Sequence, residues 1–113
     1  MPGAEHLRDS EALNTILEQQ SKAQKKYAAV CASPAVVFAS KGLLPSKGAT
    51  CYPAPGFRSA LEEPSEDSVV VQGNVITSQG PGTSLKFALK LGEELFGKEA
   101  ADKIASEMLV DDR

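Results

Sequence analysis

The run Tyr27-Ala28-Ala29-Val30-Cys31-Ala32-Ser33-Pro34-Ala35-Val36-Val37-Phe38-Ala39 places one thiol between two apolar segments. An apolar stretch of strand length ends on Cys31. Small residues and a proline follow, then a helix-compatible segment. That order predicts a strand, a tight turn and a helix, with Cys31 at the bend. A thiol there meets the positive end of a helix dipole and backbone N–H groups that lack helical partners, and both favour thiolate. Thiolate is the form that attacks electrophiles and that peroxide oxidises. The same residues also fit a small buried cysteine that closes a core strand, and the pattern alone leaves both readings open.

Other residues capable of chemistry are few. His6 stands alone near the start, in a segment that reads as a loop, and a solvated or pocket-rim role suits it better than catalysis. One histidine and two widely spaced cysteines make no convincing zinc site. Gly80-Pro81-Gly82-Thr83 precedes a helix start, but no Gly-Lys-Ser/Thr follows, so it is not a phosphate-binding P-loop. Cys51 reads as a strand residue, with a resolving thiol as the alternative. Tyr52 reads as an aromatic filling the end of that strand.

Three blocks resemble the ThiJ/PfpI superfamily, in the branch of the Parkinsonism-associated protein deglycase and particularly its plant-type members. Ala28-Ala29-Val30-Cys31-Ala32-Ser33-Pro34-Ala35 is similar to the family's nucleophile turn. Thr77-Ser78-Gln79-Gly80-Pro81-Gly82-Thr83-Ser84, followed by Phe87-Ala88-Leu89, resembles its second hallmark. Met1-Pro2-Gly3-Ala4-Glu5-His6-Leu7-Arg8-Asp9 resembles the segment after the family's Pro-Gly-Gly turn.

The resemblance implies a flavodoxin-like α/β three-layer sandwich related to class I glutamine amidotransferases. The chain would be the C-terminal portion of one such domain over residues 1–113. It implies that Cys31 is the nucleophile and a redox-sensing thiol that oxidises to sulfinate, with the N–H of Ala32 holding an oxyanion. The implied substrates are small aldehydes such as methylglyoxal, or glycated proteins, with no cofactor and a homodimeric state. Tyr52 stands before Pro53, where many members carry histidine. A phenol donates a hydrogen bond, but ordinary tyrosine keeps its proton to about pH 10, which suits it poorly to general-base work. The Gly-Pro-Gly-Thr block would wall the pocket and contribute to the dimer contact. The family's carboxylic acid and glycine turn lie in strands that have no counterpart here, so a sheet with an unpaired edge is expected.

A cysteine-dependent glyoxalase or deglycase and a redox-responsive stress protein or chaperone share all these residues. A glutamine amidotransferase needs a His-x-Glu pair downstream of the nucleophile, and none follows Cys31.

Composition sets the frame. Charged residues are 24% and apolar residues 42% of 113, as in a globular protein. A net charge of −3 gives no broad basic surface for nucleic acid or anionic membrane. No apolar run reaches membrane-spanning length. Two cysteines make no secreted disulfide framework and suit a reducing compartment: cytoplasm, with plastid or nucleus as alternatives.

The elements that must hold the site follow from pattern. Residues 1–8 read as a loop. Ser10 caps a helix over about 10–24 with Leu13, Ile16, Leu17 and Ala23 near one face. A strand covers Tyr27–Val30, then a helix runs from Pro34 to about Ser40 and ends at Gly42. Thr50-Cys51-Tyr52 reads as a short strand and 53–67 as a mobile polar loop. Val69–Gln72 and Val75–Thr77 flank Gly73-Asn74, a hairpin signal. Thr83 caps a helix from Ser84 to Phe96 closed by Gly97. A last helix covers Lys98 to about Leu109, with Ala101, Ile104, Ala105 and Met108 facing inward.

Overall fold

A computed structural model describes residues 2–110. Two helices open the chain, α1 (Gly3–Asp9) and α2 (Glu11–Lys22). Residues 3–8 are therefore helical, where a loop over 1–8 was expected. Ser10 ends α1 and starts α2, and its Oγ accepts from the N–H of Leu13 at 3.2 Å, as a helix N-cap does. Of the α2 positions expected near one face, Leu17 is buried but Ile16 is 57% exposed.

Strand β1 (Tyr27–Val30) is followed by the Cys31 bend and a helical segment of unexpected geometry. Pro34–Phe38 forms a wide π turn, and Ala39–Lys41 tightens to a 3-10 turn. The expected regular α-helix is absent for a local reason. The Ser40 hydroxyl donates to the carbonyls of Val36 and Val37 at 2.8 and 2.9 Å, which competes with the backbone ladder. Gly42 then adopts φ 68, while Leu43 N–H reaches back to Phe38 O at 3.0 Å, so the segment ends where a glycine was expected to end it.

Residues 49–52 form no strand. One isolated bridge joins Ala49 to Pro64. The N–H of Thr50 bonds to the Thr77 hydroxyl at 3.0 Å, and the Thr50 hydroxyl donates to Ser65 O at 3.0 Å. A side chain thus takes the Thr50 N–H that a ladder would need, and Pro53 supplies no N–H. The polar loop contains a short helix, α3 (Pro55–Arg58), started by a proline that suits a first turn.

The hairpin forms as its signal predicts. Strand β2 (Val69–Gln72) turns through Gly73, at φ 60, into β3 (Val75–Ser78). The sheet order is β1-β3-β2, with β1 parallel and β2 antiparallel to the central β3. Among the described residues, the outer edge of β1 carries no strand.

Alternation along β3 separates two layers. On one face Ala29 and Val75 pack with Leu17, Val37 and Phe38 beneath α2 and the π turn. On the other face lie Ile76, which is fully buried, and Ser78, whose hydroxyl meets Thr83 just before α4. Helix α4 (Ser84–Phe96) packs on that face against β2 and β3. The Thr83 hydroxyl bonds to Ser78 and Gly80 instead of capping α4. Gly97, at φ 98, turns the chain into α5 (Lys98–Glu107). Helix α5 packs mainly on α4. Ala101 and Ala105 are buried, but Ile104 and Met108 stay 50% and 45% exposed rather than facing inward as expected, with no further element described over them among residues 2–110.

Candidate active site

Cys31 follows the last residue of β1 and adopts φ 64, a left-handed conformation that costs a non-glycine residue roughly 1–2 kcal/mol. Two backbone bonds hold it there. Its N–H donates to Ser78 O at 3.1 Å, and its carbonyl accepts from Tyr52 N–H at 2.7 Å. A central strand on one side and the 49–52 segment on the other thus clamp the bend, which explains how the strain persists. The side chain is half-buried.

The turn runs on through Ala32, whose carbonyl accepts from the N–H groups of Ala35 and Val36 at 3.1 and 2.9 Å. Ala32 and Ser33 therefore stand at the entrance to a helical turn, where backbone N–H groups point outward. The dipole behind Cys31 is that of a short π and 3-10 segment, not of a regular α-helix.

A pocket of about 340 Å³ lies over the bend, lined by Ala4, Val30, Cys31, Ala32, Ser33, Tyr52 and Phe57. The structure thus brings Cys31, Ala32 and Tyr52 onto one wall. The Tyr52 ring is 45% exposed and meets Phe57 edge-on at 6.5 Å between centroids. Gly80 lies against the same ring: a Cβ there would be 3.6 Å from it. The Gly-Pro-Gly-Thr block therefore abuts the residue beside the thiol.

Ala4 and Phe57 were not legible as pocket residues. Both sit on short helices, α1 and α3, inside segments rich in proline and glycine. The signal that was available is the proline opening each helix, Pro2 before α1 and Pro55 within α3. Ser78 was missed as well, because its contribution is a backbone carbonyl that pattern does not reveal.

Cys51 lies behind the site and does not line the pocket. It is 1% exposed, packed with Ala35, Ala49 and Leu61, and its thiol donates to Tyr52 O at 3.3 Å. Burial pushes this thiol up, the Cys31 side adds to the rise, and Arg58 pulls the other way. The sulfur is thus held as neutral thiol. His6 is exposed on α1 and takes no part in the pocket.

Among the described residues no carboxylate or imidazole lines the pocket. The Glu5 Oε1 is buried without a hydrogen-bond partner on α1, one residue from Ala4. No group of three or more His, Cys, Asp or Glu stands close enough to hold a metal among the described residues. No helix of the described residues is long and apolar enough to cross a membrane. The arrangement suits addition of a thiolate to a small, uncharged electrophile entering over an apolar wall.

Residues 1–94 match the DJ-1/PfpI family. Protein DJ-1 homolog B of Arabidopsis thaliana is 44% identical over 108 residues, which is 96% of this chain and 25% of that protein. Glutathione-independent glyoxalase DJR-1.2 of Caenorhabditis elegans is 33% identical over 107 residues, 91% of this chain and 55% of that protein. The structure of oxidised Toxoplasma gondii DJ-1 superimposes with a TM-score of 0.89 at 44% identity, over 96% of this chain and 59% of that one. The chain thus spans about a quarter of the Arabidopsis relative and under two thirds of the other two.

Proposed function

The chain belongs to the DJ-1/PfpI family, and from that premise we propose that it is a cysteine-dependent glyoxalase or protein deglycase, with Cys31 as nucleophile. The observation that carries the reading is the clamped left-handed bend at Cys31, open to a pocket of about 340 Å³. A relative named as a glutathione-independent glyoxalase supports the choice of small aldehydes, methylglyoxal and its protein adducts among them.

In the proposed reaction the Cys31 thiolate adds to the aldehyde carbon, forming a C–S bond and leaving the charge on oxygen. The N–H of Ala32 donates to that oxyanion. Solvent water takes the hydrogen on the attacked carbon as a proton, and water returns a proton to the neighbouring carbonyl carbon. One carbon is thereby oxidised and its neighbour reduced, with no cofactor. Water cleaves the resulting thioester and releases lactate and the thiol. Tyr52, beside the thiol, offers a hydrogen bond to the substrate. With no carboxylate or imidazole lining the pocket among the described residues, turnover is slow. The protein works as a homodimer in a reducing compartment such as the cytoplasm.

A second reading is a redox-sensing stress protein or chaperone that uses Cys31 oxidation without turnover. The pocket lining favours it, since it offers a thiol but no strong acid–base partner. Methylglyoxal consumption with lactate detection separates the two. Lactate formation lost in Cys31→Ser supports the enzyme. No lactate from a chain whose Cys31 still oxidises in dilute peroxide supports the sensor.

A further inference from the structure

Ser33 lines the pocket two residues beyond Cys31, in the same turn. Two residues of chain span at most roughly 7 Å, so one small molecule can meet both side chains. A serine at the start of a helical turn normally spends its side-chain oxygen on the N–H groups two and three residues on. Ser10 does so for α2, where its Oγ accepts from Leu13 N–H at 3.2 Å. Ser33 stands at the corresponding place before Pro34–Phe38 and makes no such bond.

The reason is local. Pro34 has no N–H. The next two N–H groups, of Ala35 and Val36, are both taken by Ala32 O, at 3.1 and 2.9 Å. Ser33 itself has φ −63 and ψ −36, helical values where a capping residue is normally extended. Among the described residues its hydroxyl has no hydrogen-bond partner, so it keeps both its donor and its acceptor capacity. The other polar side chains on this wall are the Cys31 thiol and the Tyr52 phenol. Tyr52 is 45% exposed, whereas Ser33 is half-buried and gives up less water on meeting a ligand.

We infer that Ser33 reads the second oxygen of the substrate: its hydroxyl donates to the carbonyl next to the one Cys31 attacks, and so selects 2-oxoaldehydes over simple aldehydes. The inference rests on Cys31 as a nucleophile toward aldehydes, as proposed above, and adds the residue that chooses among them. In the addition the thiolate forms a C–S bond and the aldehyde π pair moves to oxygen. Water supplies the proton that completes the hemithioacetal. The neighbouring carbonyl keeps its bonds in this step and accepts from Ser33. When the proton later leaves the attacked carbon, negative charge spreads to that same carbonyl oxygen, and the hydrogen bond strengthens. A simple aldehyde has no atom there, and the hydroxyl gains nothing from it.

The test reads addition without turnover. Iodoacetamide alkylation of Cys31 in the full chain is followed by peptide mass spectrometry against rising methylglyoxal or propanal. Propanal has the same carbon skeleton without the second oxygen. Protection of Cys31 gives a dissociation constant for each aldehyde. Ser33→Ala should weaken protection by methylglyoxal about three- to tenfold, as loss of one hydrogen bond does, and leave propanal within about twofold. Its thermal midpoint should stay level, because no cap bond is lost. Equal effects on both aldehydes, no effect on either, or the same split in Tyr52→Phe and not in Ser33→Ala overturn the assignment. A lowered midpoint, failure to fold included, shows a hydroxyl committed within the protein and overturns it as well. Protection by neither aldehyde in the wild type removes Cys31 as the nucleophile and the role of Ser33 with it. The expected split without any lactate removes turnover alone and supports Ser33 as the residue that reads the second carbonyl.

Discussion

The carbonyl of Cys31 accepts a 2.7 Å hydrogen bond from the N–H of Tyr52. The thiol and the aromatic residue beside it are thereby one backbone bond apart, although 20 residues separate them in the chain. Ser78 O completes the clamp from the central strand. The pocket wall is thus built of three segments that cannot shift independently. The consequences below test that arrangement.

Cys31 should react before Cys51. The first is half-buried at the pocket, and the second is 1% exposed and held as neutral thiol by burial. Limited iodoacetamide at neutral pH, read by peptide mass spectrometry, should label Cys31 at least about tenfold faster. Equal labelling would contradict the assigned site.

Dilute hydrogen peroxide should add two oxygens to the Cys31 peptide, giving sulfinate stabilised by the N–H groups of the turn. The mass shift is the readout. A Cys31–Cys51 disulfide, which loses two hydrogens instead, would replace the sensor reading with a two-thiol switch.

Backbone strain at Cys31 predicts an unusual order of stabilities. With φ 64, an alanine keeps the left-handed penalty and a glycine sheds it. Cys31→Gly should therefore be more stable than Cys31→Ala by about 1 kcal/mol in urea unfolding. The reverse order would mean that the bend relaxes when the thiol is removed.

Turnover of methylglyoxal should be weak in the wild type and should rise about 10- to 100-fold in Tyr52→His, which puts an imidazole on the pocket wall. Tyr52→Phe should change it less than about threefold, because a phenol is a poor base near neutrality. A large loss in Tyr52→Phe would assign the hydroxyl a direct part in proton transfer.

Cys51 links stability to alkaline pH. Its folded thiol ionises above its ordinary value, so the folded state keeps a proton that the unfolded state gives up. Its contribution is complete below about pH 8.5 and is lost as pH rises past that point. Urea unfolding should show a steeper decline above about pH 9 in the wild type than in Cys51→Ala, which costs about 1–2 kcal/mol at neutral pH through the lost sulfur. Parallel profiles would show that Cys51 does not cause the decline.

The sequence determined much by itself, because the relevant forces act over a few residues. The Ser10 cap, strand Tyr27–Val30, the Gly73-Asn74 hairpin, helix Ser84–Phe96 and the glycine stops at Gly42 and Gly97 each follow from local rotation, capping or turn chemistry. The position of Cys31 at a strand-to-turn bend was legible for the same reason. Tertiary structure decided what depends on partners distant in the chain. The Thr77 hydroxyl takes the Thr50 N–H that a strand ladder would use there. Helices α1 and α3 bring Ala4 and Phe57 to the pocket. Ser78 and Tyr52 hold Cys31 in a conformation its own residue type disfavours. Ile104 and Met108 remain exposed although their spacing points inward, because hydrophobic periodicity marks a face and only packing supplies the layer that covers it.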